Sequence, residues 1–141
     1  KVPNNEKLTN ENTLELHSIE AVENYIKHFN SYELDIAAKA ILNLAIKTNL
    51  YLNEKQPWKL IKDEKNLPLV SNIIYNVLES TRIIGLLLLP LLPDLSSKID
   101  LQLGSLYDEK KSWNEQLNWG KLKHKSPLPA PTPIIEKLEY E

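Results

Sequence analysis

With 141 residues, 42% of them apolar and 26% charged, the chain is long enough for one domain around one core and too short for two. The absence of cysteine excludes a disulfide scaffold, a thiolate metal site and a cysteine nucleophile, and three glycines exclude glycine-rich phosphate loops. A net charge of −2 and a pI near 6.0 provide no global positive field, so any contact with nucleic acid must be local.

Residues 1–13 are rich in Asn, Lys and Glu and read as a loop. From Leu14 onward, Leu16, Ile19, Val22, Ile26 and Phe29 recur at helical spacing, with Glu20, Glu23 and Lys27 on the other face. Asn30 or Ser31 reads as a break and a new N-cap, with Glu33 and Asp35 in the following first turn. The second helix is the longest: Leu34, Ala37, Ala38, Ile41, Leu44, Ala45, Thr48 and Leu52 recur at three and four, and the alanines suggest close approach by a neighbouring helix. Pro57 ends it, because the residue before a proline is pushed out of the helical region, and Trp58 follows at once.

Residues 63–67 are polar, and Pro68 suits the first turn of a third helix carrying Val70, Ile73, Ile74, Val77, Leu78, Thr81, Ile84, Gly85 and Leu88. Beyond Arg82 that helix is apolar all round, which predicts burial. Pro90 and Pro93 bracket a turn; Asp94 or Ser96 is expected to cap a short fourth helix ending near Leu103, with Gly104 just past it. Trp113, Trp119-Gly120 and the stretch Lys121-Leu122-Lys123-His124-Lys125, read as a solvated strand, then lead to a tail with Pro127, Pro129, Pro131 and Pro133, extended near polyproline II. The last apolar residues, Ile134, Ile135, Leu138 and Tyr140, are expected to lie along a groove, on this bundle or on a part of a longer chain. The expected organisation is therefore a linker over 1–13, an all-α helix bundle over 14–104, and a C-terminal helix and extended tail over 105–141.

The chain opens Lys1-Val2-Pro3 and contains no methionine, which reads as a piece excised from something longer. Its first twelve residues lack the apolar stretch of a signal peptide. The longest apolar run, residues 83–92, is interrupted by Pro90 and falls short of the roughly 20 residues of a membrane span, so a cytoplasmic location without a membrane partner is the default. His17, His28 and His124 show no metal-ligand spacing, and neither a G-x-S-x-G turn nor a P-loop occurs. Glu20 and Glu23 read as a solvated face. No catalytic residue and no metal ligand is expected.

Three groups carry more information. The first is Asn49-x-Tyr51-x-x-Glu54-x-x-Pro57-Trp58-x-Leu60. The second is Tyr75-x₃-Glu79-x₂-Arg82, followed by Leu88-x-Pro90-x-x-Pro93 and Leu103-Gly104. The third is Trp119-Gly120 and, after the proline-rich spacer, Pro133-Ile134-Ile135-Glu136-Lys137-Leu138-Glu139. In order and spacing they resemble the C-terminal anticodon-binding domain of bacterial methionyl-tRNA synthetase. The Pro57-Trp58 pair is the most specific element; the final stretch departs from the family's Pro-Leu-Phe-Pro-Arg-Ile-Glu ending at Ile134-Ile135 and Lys137.

The resemblance implies a class I synthetase helix bundle that binds the CAU anticodon loop of methionine tRNA, with Trp58 stacking on the anticodon's first base. Elementary chemistry agrees, since RNA is read at unstacked bases and an indole held at a helix end is a stacking platform. Pro57 would fix the backbone behind it, and Asn49 would orient the indole, donate to a base, or simply pack. Lys55, Lys59, Lys62 and Lys65 surround Trp58 in sequence and are candidate phosphate contacts, diluted by Glu54, Asp63 and Glu64. A tryptophan after a helix-ending proline can equally be a core plug. Glu79 and Arg82 read as a structural i,i+3 ion pair, and the Lys121–Lys125 cluster reads as a solvated strand ahead of the alternative, a contact with the tRNA stem.

The resemblance also implies what lies outside this chain. The family's helix bearing a base-reading asparagine and arginine precedes the point matching Lys1, and the catalytic Rossmann domain, which binds ATP and methionine, is a separate part, so no cofactor is expected here. The tRNA and that catalytic domain are the expected partners. The uncovered apolar groove left by the missing helix is a candidate for self-association. The alternatives are the equivalent bundle of a leucine, isoleucine, valine or cysteine class I synthetase, and a helical protein-interaction module. A stand-alone enzyme ranks last.

Overall fold

The computed structural model describes residues 13–122; of the linker expected over 1–13 only Thr13 is described, and it already belongs to the first helix, while residues 123–141, with Lys123, His124 and Lys125, lie outside the described residues. The elements run α1 (Thr13–Asn30), α2 (Leu34–Lys55), α3 (Pro57–Leu60), a 3₁₀ turn (Glu64–Asn66), α4 (Leu67–Leu88), α5 (Pro93–Gln102) and α6 (Trp113–Gln116), and no strand occurs among the described residues. The all-α expectation holds, and the long helices begin and end within a residue or two of their sequence signals.

α1 buries Leu14, Ser18, Ala21 and Tyr25, a four-three-four row that meets the inward row of α2: Ala37, Ile41, Leu44, Thr48 and Tyr51. α4 runs antiparallel to α2. Asn76 Nδ2 donates to Tyr51 Oη at 3.2 Å, Thr48 and Ser80 hydroxyls lie 2.6 Å apart, and Ala37 shares a cluster with Leu87. Small side chains at Thr48, Ser80 and Ala37 let the two helices approach closely, as the alanines suggested, although Ala38 faces solvent and Ala45 is only half-buried. α4 is the central rod: Ile83, Gly85, Leu86 and Leu87 are buried, in line with its uniformly apolar second half.

The caps differ from expectation. Neither Asn30 nor Ser31 starts α2; Ser31 Oγ donates back to Lys27 O at 3.1 Å and helps close α1, and Glu33 occupies the cap position with its side chain turned to His28 rather than capping the helix. The turn is instead set by Tyr32 at φ 61°, a left-handed conformation rare for a tyrosine, which lets the N–H groups of Ser31, Tyr32 and Glu33 bond the last carbonyls of α1. At α5 the cap is Leu92 with Pro93 at the first position; Asp94 lies in the first turn. Ser96 is turned inward to Gly85 O at 2.6 Å. Gly104, at φ 99°, follows the helix as expected.

Two tyrosines sit in this interior with their phenols held at about 12. Tyr25 is raised by burial, and its hydroxyl has no partner among the described residues. Tyr75 is raised by burial and then by the Glu79 carboxylate, against a smaller opposing effect of Arg82, and its hydroxyl donates to Leu122 O at 3.1 Å. Above pH 10 the unfolded chain sheds these two protons while the folded chain keeps them, so stability falls as pH rises from about 10 to 12. At about 1.4 kcal/mol per unit, each tyrosine costs about 2–3 kcal/mol across that window. Urea unfolding at pH 9 and pH 11.5 should show the loss, and Tyr75→Phe should shrink it. An equal midpoint at both values would remove this assignment.

Candidate nucleic-acid interface

Gln56 controls where Trp58 goes. It takes φ 48° and ψ 60°, left-handed for a residue with a Cβ, and serves at once as the C-cap of α2 and the N-cap of α3. Its N–H closes α2 on Leu52 O at 3.1 Å, while its carbonyl accepts from Lys59 and Leu60 N–H. The chain therefore bends sharply and restarts as a single turn with Pro57 at its first position. Pro57 is buried against the bundle, and Trp58 stands half-exposed, at 50% of its surface. An indole sealed in the core would be a plug; this one offers surface.

Of the lysines around it, Lys59 and Lys62 are exposed, as is Lys65. Lys55 is half-buried with its ammonium 5.7 Å from the centroid of the Tyr51 ring, a cation–π contact, and so is less open to a phosphate than the other three. Asn49 is exposed on α2, about 9 Å of helix before the kink. Ile61 and Leu67 are also exposed beside α3, at 54% and 46%, and so are Glu54, Asp63 and Glu64, so the end of the bundle bearing Trp58 mixes apolar, basic and acidic groups. The outer face of α2 adds Leu42, Ile46 and Leu50, each more than half exposed and spaced at four, with no charged residue between Lys39 and Lys47.

Sequence reasoning missed the depth of the Glu79–Arg82 pair. Both side chains are buried, Glu79 completely. The Arg82 Nε and Nη2 atoms donate to the two Glu79 oxygens at 3.0 and 2.6 Å in a bidentate fork. The same carboxylate accepts the backbone N–H groups of Gly120, Lys121 and Leu122 at 2.7, 3.0 and 3.1 Å, and Arg82 donates onward to the carbonyls of Gln116 and Asn118. The predicted ion pair is thus the anchor of the whole 116–122 segment. Of the Lys121–Lys125 stretch only Lys121 and Leu122 are described: both are docked through their N–H groups, with Leu122 buried and Lys121 exposed. Gly120 at φ 91° was the available signal, since its conformation aligns three successive N–H groups on one acceptor.

His28 lies 3.3 Å from Glu33, and Glu20 pairs across the helices with Lys47 at 3.7 Å. The open cleft beside α6 mixes Lys110, Lys111 and Lys121 with Asp108, Glu109 and Glu115, which favours neither anion nor cation. Among the described residues, no group of three or more His, Asp or Glu is placed to hold a metal, and no helix is long and apolar enough to cross a membrane.

A methionine–tRNA ligase from Synechocystis is 37% identical over 112 residues, covering 73% of this chain and 21% of that protein. One from Nostoc is 31% identical over 144 aligned positions, covering 96% of this chain and 26% of that protein. The apo Mycobacterium tuberculosis methionyl-tRNA synthetase superposes with a TM-score of 0.88 over 99% of this chain and 28% of its own, at 24% identity. The chain therefore spans between about a sixth and just over a quarter of the length of the relatives it matches. The family model described as the anticodon binding domain of methionyl tRNA ligase matches residues 2–141, and the chain belongs to that family.

Proposed function

We propose that this domain binds the CAU anticodon loop of methionine tRNA, with Trp58 stacked on an unpaired base, as part of a longer cytoplasmic methionine–tRNA ligase whose catalytic domain holds ATP and methionine. The observation that carries the reading is the half-exposed Trp58 indole on a one-turn helix whose preceding proline is buried. A rigidly placed ring loses little side-chain freedom when a base covers it. Lys59, Lys62 and Lys65 supply charge for phosphates, with Lys55 a weaker contributor and Asn49 a candidate donor to a base edge. The outer face of α2 supports a second component of the proposal, self-association of the isolated chain, because its apolar row of Leu42, Ile46 and Leu50 is exposed among the described residues.

Stacking contributes about 1–3 kcal/mol per base, so Trp58→Ala should weaken binding of a CAU anticodon stem-loop roughly 5- to 150-fold. Tryptophan fluorescence quenching, read at two salt concentrations, measures it, and the wild-type affinity should fall as salt rises. A chain extended upstream by one helix should bind more tightly and prefer CAU over a scrambled loop. Equal binding by Trp58→Ala and wild type would remove the stacking assignment.

A further inference from the structure

A helix of one turn cannot hold itself together, because nucleating it fixes more dihedrals than its few hydrogen bonds repay. α3 has four residues, so the direction of Trp58 depends on what α3 rests on. Leu60, two residues past the indole, packs against the cluster of Leu14, Tyr51 and Ile73, and its carbonyl accepts from Asn66 Nδ2 at 3.2 Å. Trp119 packs against that same cluster from the C-terminal segment, and also against the larger core cluster containing Tyr25, Leu44 and Ile83. Trp119 and Leu60 thus share one support, so the C-terminal segment and α3 rest on the same three residues. Trp119 is held there by its neighbours: Asn118 O accepts from Arg82, and the N–H groups of residues 120–122 donate to Glu79.

We propose that Glu79 and Arg82 are positioning residues for the RNA-facing indole: by latching residues 116–122 they keep Trp119 packed on the Leu14–Tyr51–Ile73 cluster, which also supports Leu60 of α3, and so fix the orientation of Trp58. The pair lies in the middle of α4, away from the solvent, and acts only through Trp119 and the Leu14–Tyr51–Ile73 cluster. The inference rests on the reading of Trp58 as the RNA platform for its functional meaning, and on packing alone for its structural content.

The test uses the full chain with Trp119→Leu and Glu79→Gln, and two readouts. The first is the ¹⁵N relaxation of the Trp58 indole N–H, assigned by Trp58→Phe. It should show greater mobility in both variants while the α1 and α2 amide resonances stay in place. The second is a double-mutant cycle on CAU stem-loop affinity. Each latch variant should weaken binding about tenfold in the Trp58 background and less than twofold when combined with Trp58→Ala. If Glu79→Gln fails to fold, Trp119→Leu, which leaves the ion pair intact, decides alone. An unchanged Trp58 indole in folded Trp119→Leu, or equal affinity losses in both backgrounds, overturns the proposal. If wild type does not bind the stem-loop, the RNA reading fails while the relaxation measurement still judges the latch.

Discussion

Replacing Glu79 by alanine should destabilise the domain by about 3–5 kcal/mol and lower its melting temperature on the order of 10–20 °C. The size follows from what is left behind. Arg82, 6% exposed, would keep its charge with no carboxylate beside it, and the N–H groups of Gly120, Lys121 and Leu122 would lose their common acceptor, one of them fully inside. The lost pair is not itself worth that much, because two charges were taken out of water to make it. The double replacement Glu79→Met, Arg82→Met should therefore cost less than Glu79→Ala alone, while releasing residues 116–122. Thermal unfolding followed by circular dichroism measures the first claim. Amide hydrogen exchange at 118–122 measures the second, since those amides would open without global unfolding. A melting temperature within 3 °C of wild type for Glu79→Ala would show that the carboxylate cradle contributes little.

The same pair shows what the sequence can and cannot disclose. Glu79 and Arg82, three apart on an apolar helix, announce an ion pair from spacing alone. Nothing in their spacing says that the carboxylate also collects three N–H groups from forty residues downstream, because that contact is fixed by tertiary docking. The long helices were legible because apolar residues recur at three and four along each, as at Ala37, Ile41 and Leu44 of α2, but the face of α1 was misplaced: Leu16 and Ile19 of the expected apolar row are exposed, and the buried row is Leu14, Ser18, Ala21 and Tyr25. Caps were less so: Tyr32 and Gln56 adopt left-handed backbone without being glycine or asparagine, and residue type gives no hint of it. The kink at Pro57 was readable from proline chemistry, whereas the exposure of Trp58 was not, since a buried plug and an open platform share the same local sequence. The half-burial of Lys55 on the Tyr51 ring likewise depends on the end geometry of α2 rather than on composition.

Two leucines on one helix should separate folding from assembly. Leu44 is 1% exposed within the core cluster, and Leu42, two positions earlier, is 60% exposed. Leu44→Ala should cost about 2–5 kcal/mol through lost transfer energy and an unfilled cavity. Leu42→Ala should fall within about 0.5 kcal/mol of wild type, as expected of a surface position. In the sequence these rows are interleaved, because Ala37, Ile41, Leu44 and Thr48 point inward while Ala38, Leu42, Ile46 and Leu50 are left open. A helix apolar on two sides has paid for only one of them in this bundle. If the open side joins a second copy, Leu42→Glu should convert any dimer seen by sedimentation velocity to monomer without altering the urea midpoint at low concentration. A monomeric wild type at 100 μM would count against self-association. A Leu42→Ala loss comparable to that of Leu44→Ala would mean that the outer row of α2 is covered within the fold itself, and the open face would then vanish as a docking surface.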